Sequence, residues 1–324
     1  MKSNLLYKGE SLPDKPLLSF VIPTYKNFNY LYTAIGGIIA QNIKGGFTEY
    51  EIIVICNDPN ADLSTFIKKY ENCNISFYCN EENYGQVGNL NQGIFLARGK
   101  YVSIIHDDDM ILPNYFSSLL PFLTSQQTDY DCIIPSCYLQ YGKYKFDFRH
   151  KFLSFCYLYR FLYRKKLTCV APDAWIYTFD DIYGPPSCGV IFLKKALLDF
   201  GMFKNERNAA WDFYNFREFH KTKKVFFLHS YVGVRRCETG MSAESRVQQE
   251  FRADKHMILD VDEADHSFIK NFRTVIMTHK PLLHFFKFRF FQKSYLYSYN
   301  LDLRKSIPFL KHSKVKRYEE ELSK

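Results

Sequence analysis

Tryptophan is nearly missing from this 324-residue chain, with 2 residues against 31 Phe and 25 Tyr. The aromatic content therefore suits a well-packed interior plus some exposed aromatic surface. The nine cysteines form no C-x-x-C pair and no closely spaced Cys/His set, which argues against a structural zinc site. Their odd number and scattered placement suit small apolar fillers in a reduced protein. No apolar run approaches 18 residues and Met1-Lys2-Ser3 opens no signal peptide, so a membrane span and secretion are not expected. There is no G-x-G-x-x-G after the first apolar run and no G-x-x-x-x-G-K-[ST] anywhere, which disfavours the usual dinucleotide fold and a P-loop. Internal repeats and low-complexity linkers are also lacking.

What is present is enough apolar material for a full core, at 47% hydrophobic residues. At this length the chain is either one large α/β domain or a domain with a substantial extension. The net charge of +9 resides in residues 270–324: Lys270 to Lys324 holds 13 Lys/Arg against 4 Asp/Glu, and the rest of the chain balances at 30 against 30. Runs such as His284-Phe285-Phe286-Lys287-Phe288-Arg289-Phe290-Phe291 suit either an anionic membrane surface or a solvated helical face covering the core. No helix-turn-helix, zinc-finger or RNP-like pattern accompanies the charge, so nucleic acid is not an expected partner.

Strands and helices alternate along the first half. Apolar, β-branched runs at Leu17 to Ile22, Glu51 to Cys56, Ile75 to Cys79 and Tyr101 to Ile105 read as strands. Asn29 to Gln41, Leu63 to Tyr70 and Gln86 to Ala97 carry helical spacing. Pro23 should end the first strand, because proline cannot donate to a central ladder. The alternation predicts an α/β fold with a mainly parallel sheet covered on both faces. Ligands in such sheets bind at the carboxyl ends of strands. Three polar ends would gather there: Thr24-Tyr25, Asn57-Asp58 and Asp107 to Asp109. Further on, Lys151 to Lys166 reads as an amphipathic helix or an insertion over the site. Gly184-Pro185-Pro186-Ser187 is a turn before a strand at Gly189 to Leu193. A helix at Asp212 to Phe219 and a strand at Val225 to Leu228 follow.

The run Asp107-Asp108-Asp109 is the most informative of these ends. Adjacent carboxylates repel and raise one another's pKa unless a cation lies among them, so the cluster points to a hard divalent ion. A self-solvating polar loop, with Met110, Ile111 and Pro113 starting the next helix, is the competing reading.

The order of four segments resembles that of the family 2 glycosyltransferases, which have the GT-A fold, a Rossmann-like nucleotide-binding architecture, and invert the anomeric centre. Leu18 to Tyr25 resembles the opening strand and nucleotide-binding turn, and Glu51 to Pro59 the second strand with its acidic end. Asn83-Tyr84-Gly85 with Asn91, then Ala97 to Tyr101, resembles the segment leading into the metal motif, and His106 to Asp109 resembles that motif, often called DXD. The resemblance covers roughly residues 16 to 245, which implies a GT-A domain over 1–245 and a helical, basic and aromatic extension over 246–324. Cys56 stands where the family commonly has a uracil-facing Asp, with Asp58 as a stand-in, and His106 stands where many members have Asp. Phe200 to Phe203 followed by Trp211-Asp212 resembles the stretch supplying the catalytic base, Glu-Asp in many members. Arg235, in Val234-Arg235-Arg236-Cys237, resembles a late basic motif.

The resemblance implies an inverting transferase moving a sugar from a nucleotide diphospho-sugar, UDP-sugar favoured, to a hydroxyl of a growing or lipid-linked glycan of the bacterial cell envelope. Asp212 would be the base, or a helix N-terminal acid favoured by the macrodipole. Pro23, Thr24, Tyr25, Asp58, Asn83, Asp107 and Arg235 would bind the nucleotide sugar, and Asp107, Asp108 and Asp109 would hold Mg²⁺ or Mn²⁺. Thr24 also reads as a helix cap, Asp58 as a loop carboxylate and Asn83 as a turn residue. The expected location is the cytoplasm, including the inner face of the membrane. Two rivals stand beside this reading: a silent nucleotide-sugar-binding scaffold, suggested by Cys56, Trp211 and Cys237, the last standing where a His often follows the family's late basic motif, and a nucleotidyltransferase, which lacks support from any Gly-rich, Lys-containing loop.

Overall fold

The computed structural model describes residues 1–26, 28–125, 130–141, 145–146, 188–206 and 211–236, with 250 and 322 as single positions. Among these residues ten strands form one sheet. In chain order the elements are β1 (Ser3–Lys8), β2 (Leu18–Thr24), α1 (Leu31–Gly45), β3 (Tyr50–Cys56), α2 (Ser64–Tyr70), β4 (Ile75–Asn80), α3 (Gly85–Leu96) and β5 (Tyr101–Ile104). They continue as β6 (Met110–Ile111), α4 (Tyr115–Thr124), β7 (Cys132–Tyr141), β8 (Lys145–Phe146), β9 (Val190–Leu193), α5 (Lys194–Phe200), α6 (Trp211–Thr222) and β10 (Val225–Arg236).

The sheet runs β1-β4-β3-β2-β5-β9-β7-β10-β6, with β8 paired to β7. Its centre is parallel: β2 pairs in parallel with β3 and β5, and β3 with β4. Beyond β5 the antiparallel β9 turns the direction, and β7 and β10 run parallel to each other. The continuous apolar composition of β2 and β3 is explained by burial at every position of both strands. One face is covered by Leu31, Ile35 and Ile38 of α1, Phe66 of α2 and Leu119 of α4. Leu90 and Ile94 of α3, Leu197 of α5 and Phe216 and Phe219 of α6 cover the other. This is the expected α/β architecture with helices on both faces.

Close approach fixes α3 on the sheet. A Cβ at Gly93 would lie 2.5 Å from Val21 Cγ1 and 3.1 Å from Ile55 Cγ2, so only glycine lets the helix sit this near. At the other end of α3, Glu51 anchors the turn into β5. Its carboxylate accepts from Ser19 Oγ at 2.6 Å, from the Arg98 backbone at 2.6 Å and from Arg98 Nε at 2.9 Å, with Arg98 Nη2 at 2.8 Å. Gly99 N–H then donates to Ser19 Oγ at 2.8 Å. These bonds hold the start of β5 in register with β2, which fixes where the acidic cluster emerges.

Two expectations need correction. Pro23 does not end the first strand; β2 continues through Thr24, with Pro23 opposite Ile55 of β3. The β5 ladder stops at Val21–Ile104, after which Ile105 N–H donates to Val21 O. By the two-residue alternation, the donor that Pro23 lacks faces the side that β5 has already left. The polar leader is also strand, β1, paired antiparallel to β4. Lys151 to Lys166, the turn at Gly184 to Ser187 and nearly all of the 246–324 extension lie outside the described residues.

Candidate active site at the strand ends

Thr24 ends β2 beside the loop after β5, and its hydroxyl donates to Asp107 Oδ2 at 2.6 Å. Asp107 also receives the Tyr25 backbone N–H, yet burial pushes its carboxyl up to about 7, with the Asp108 charge adding to the rise. Thr24 is thus a partner of the acidic run and not a helix cap. Tyr25 follows as an exposed ring, 41% accessible, with Lys26 Nζ 5.0 Å from its centroid. Lys26 holds φ of 59°, a left-handed conformation uncommon for a non-glycine residue and frequent at ligand sites.

Asp109 is 1% exposed, and burial with the neighbouring Asp108 charge raises its carboxyl well above the usual range. Its Oδ1 accepts the Arg236 backbone N–H at 3.3 Å, while Oδ2 has no hydrogen-bond partner among the described residues. Arg236, 5% exposed, donates Nη1 to the Asp108 carbonyl and stacks its guanidinium 4.4 Å from the Tyr30 ring centroid. The end of β10 reaches this point because β6, only two residues long, pairs antiparallel with Gly233 and Val234. Met110 and Ile111 therefore form a strand and do not start a helix.

His106 stands where the two halves of the site meet. Burial lowers its pKa, Asp108 and Asp212 pull it up, and Arg235 pushes it down. The charges of Asp108, Arg235 and Asp212 thus all reach one imidazole electrostatically, although they come from the β5–β6 loop, β10 and the first turn of α6. Sequence spacing brought none of these three segments together.

At the ends of β3 and β4 the fold uses amides. Asn57 Nδ2 donates to Asn83 Oδ1 at 2.6 Å and Gly85 O at 3.1 Å; its Oδ1 accepts from Asn80 Nδ2 at 2.9 Å and the Tyr84 backbone at 3.0 Å. Asn80 also donates to Asn89 Oδ1 at 2.9 Å, and Asn89 reaches Ile55 O at 3.2 Å. Every side-chain donor and acceptor of Asn57 is used, which rigidifies the loop before α3. Asn83 Oδ1 also accepts Gly85 N–H at 2.9 Å, so the turn reading of Asn83 is realised. Asn57 was expected at this edge as part of the polar Asn57-Asp58 end, whereas Asn80 and Asn89 were missed as supports; for Asn80 the available signal was a polar residue closing an apolar run, and for Asn89, inside α3, there was none.

Asp58 Oδ1 accepts the Asn60 N–H at 3.1 Å, an Asx turn, and its carbonyl accepts the Cys79 thiol at 3.1 Å. Cys56 is fully buried, and burial pushes its thiol up to about 12. It remains a neutral thiol and cannot do a carboxylate's work toward a nucleobase, which leaves Asp58 as the acid at this strand end.

The donor set suits a hard divalent ion completed by substrate oxygens. Asp108 and Asp109 are adjacent carboxylates and Asp109 Oδ2 is an orphaned buried acceptor, although no cluster of three or more His, Cys, Asp or Glu ligands occurs among the described residues. Magnesium-type sites commonly need only one or two carboxylates beside phosphate and water.

Comparison with known proteins agrees with this architecture. The uncharacterized glycosyltransferase MJ1057 of Methanocaldococcus jannaschii is 28% identical over 161 residues, 48% of this chain and 54% of that protein. The minor teichoic acid biosynthesis protein GgaB of Bacillus subtilis is 30% identical over 142 residues, 42% of this chain and 15% of that protein. The chain thus matches about half, or less, of the length of these curated relatives. Among solved structures, S. aureus TarS 1–349 in complex with UDP-GlcNAc superposes with a TM-score of 0.53 at 16% identity, over 70% of this chain and 60% of that one, which is a likeness of fold. Residues 19–183, half of the chain, match the model of glycosyl transferase family 2, and the protein belongs to that family.

Proposed function

We propose that this protein is an inverting glycosyltransferase that moves a sugar from a nucleotide diphospho-sugar to a hydroxyl of a cell-envelope glycan. The observation that carries the reading is the Thr24–Asp107 hydrogen bond and the buried contact of Asp109 with Arg236 at the ends of β2, β5 and β10, with Asp108, Arg235 and Asp212 within electrostatic reach of His106. That arrangement supplies carboxylates for a cation, a guanidinium for a diphosphate and a separate carboxylate for a proton, on one edge of the sheet.

Tyr25 offers an exposed ring to a nucleobase, with Asp58 beside it as acceptor for a base or ribose donor. Asp107, fixed by Thr24, faces ribose or sugar hydroxyls, and Arg235 faces the diphosphate. Asp108 and Asp109 would hold Mg²⁺ or Mn²⁺, which when bound neutralises charge building on the departing nucleoside diphosphate. Asp212 accepts the proton of the acceptor hydroxyl as that oxygen attacks the anomeric carbon from the face opposite the diphosphate. One displacement inverts that centre, so an α-linked donor gives a β-linked product. UDP-sugars lead the candidates because the TarS structure carries UDP-GlcNAc, and the name of GgaB, a minor teichoic acid biosynthesis protein, supports a cell-envelope acceptor.

The test is release of nucleoside diphosphate from a panel of UDP-, GDP- and dTDP-sugars with Mg²⁺ or Mn²⁺. Metal-dependent release by the wild type, lost in Asp108→Ala and in Asp212→Asn, is expected. Nucleotide binding without release, unchanged by Asp212→Asn, would support a silent binding protein instead.

A further inference from the structure

The base-bearing helix is tied to the nucleotide side of the site by side chains that the reaction itself does not use. Asn91, in the middle of α3, donates Nδ2 to Phe203 O at 2.7 Å and accepts the Phe203 N–H on Oδ1 at 3.2 Å. The next residue is held from the other side: Asn215, fully buried on α6, accepts the Lys204 N–H at 2.8 Å and donates to Lys204 O at 2.8 Å. Asn215 Nδ2 also reaches Trp211 O at 2.7 Å. Two asparagines thus grip adjacent peptide units of one loop, one from each helix. A third tie closes the gap at the top: the indole N–H of Trp211, 5% exposed, donates to Gln86 Oε1 at 3.0 Å in the first turn of α3. The Trp211 ring also meets Phe203 edge-on, with centroids 5.8 Å apart.

We infer that Asn91, Asn215 and the Trp211–Gln86 pair are positioning residues that set where Asp212 stands relative to the bound donor. The argument is geometric. Asp212 follows Trp211 directly, in the first turn of α6, where a free helix end frays. The three ties connect that turn to α3, whose Gly93 sits against β2 and β3 and whose preceding loop is locked by Asn57. The acid on α6 and the loop before α3 therefore move as one body. A base displaced by about 1 Å loses on the order of a hundredfold in rate, so this coupling has kinetic consequence. Trp211 takes the place where the family often carries a carboxylate, and the contact to Gln86 gives that substitution a physical purpose.

The inference rests on the proposed role of Asp212, and the experiment separates the two. Amide exchange of the full chain is compared for wild type, Asn91→Ala and Gln86→Ala, the last at an exposed side chain that leaves the core intact. In parallel, kcat and donor KM are measured on the panel sugar that the wild type turns over, alone and in the Asp212→Asn background. At least tenfold faster exchange at the amides of 212–215, a kcat lowered 10- to 100-fold with donor KM within threefold, and no further kcat loss in Asp212→Asn are expected. Asn91→Gln, which keeps both amide functions, should restore part of kcat. Unchanged exchange, or faster exchange with unchanged kcat, would overturn the positioning role while Asp212 remained the base. If Asp212→Asn retained wild-type kcat, the base assignment itself would fall, and with it this inference.

Discussion

Asp107 sets the pH behaviour of the metal-free site. Its folded-state pKa of about 7 lies above the ordinary 3.8, so the unfolded chain releases this proton first as pH rises. Stability is therefore fully kept below pH 3.8 and is lost progressively up to about 7, by an amount of up to about 4 kcal/mol. Asp109, also raised, acts in the same direction. His106 opposes them: its folded pKa is lowered from 6.5, so its protonation favours unfolding and it adds stability as pH rises toward that value. The difference between wild type and Asp107→Asn isolates the carboxylate. Thermal melts of metal-free protein should show Asp107→Asn gaining several degrees on the wild type at pH 7.5 and little at pH 4.5. Equal gains at both pH values would mean that Asp107 is not the titrating group. Added Mg²⁺ or Mn²⁺ should raise the wild-type melting temperature more at pH 7.5 than at pH 5, because ligation requires the ionised acids.

At the scale of elements, the placement of α3 and β5 decides where the site forms. Gly93→Ala would improve helix propensity by about 1 kcal/mol but drive a Cβ to 2.5 Å from Val21 Cγ1. Overpacking of this kind costs roughly 1–3 kcal/mol and should win, lowering the urea midpoint at unchanged slope. A midpoint that rose would show the sheet giving way. Arg98→Ala leaves the buried Glu51 carboxylate with Ser19 and one backbone N–H. Because Arg98 is 39% exposed, the loss should be about 2 kcal/mol, below the full cost of breaking a buried pair. A loss near zero would show that the two remaining donors suffice.

For the whole molecule, the uneven charge is the feature that reaches beyond the site. No described helix is long and apolar enough to cross a membrane. We propose that the basic, aromatic stretch within 270–324 meets an anionic surface, which would bring the site to a lipid-linked acceptor. Flotation with phosphatidylglycerol-containing liposomes should carry the wild type upward at low salt and leave a Lys287→Gln, Arg289→Gln, Lys293→Gln variant behind. Equal flotation of both would remove the support for this contact.

Much of the architecture was legible along the chain because its causes are local. Continuous β-branched runs such as Glu51 to Cys56 become strands wherever both faces are covered, and helical spacing in Leu31, Ile35 and Ile38 marks the face that covers them. The polar residues closing those runs, Thr24, Asn57 and Asp107, had to meet at one edge once the strands ran parallel. Tertiary structure alone decided the rest, because those contacts join segments far apart with no periodic trace. Arg236 meets Asp109 across 127 positions through a two-residue strand that no propensity argument detects. Asn91 finds Phe203 across 112 positions and Trp211 finds Gln86 across 125. Pro23 is tolerated in a central strand only because β5 departs one residue pair earlier. Composition and period fix which surfaces must be buried; only the assembled sheet fixes which polar groups then find one another.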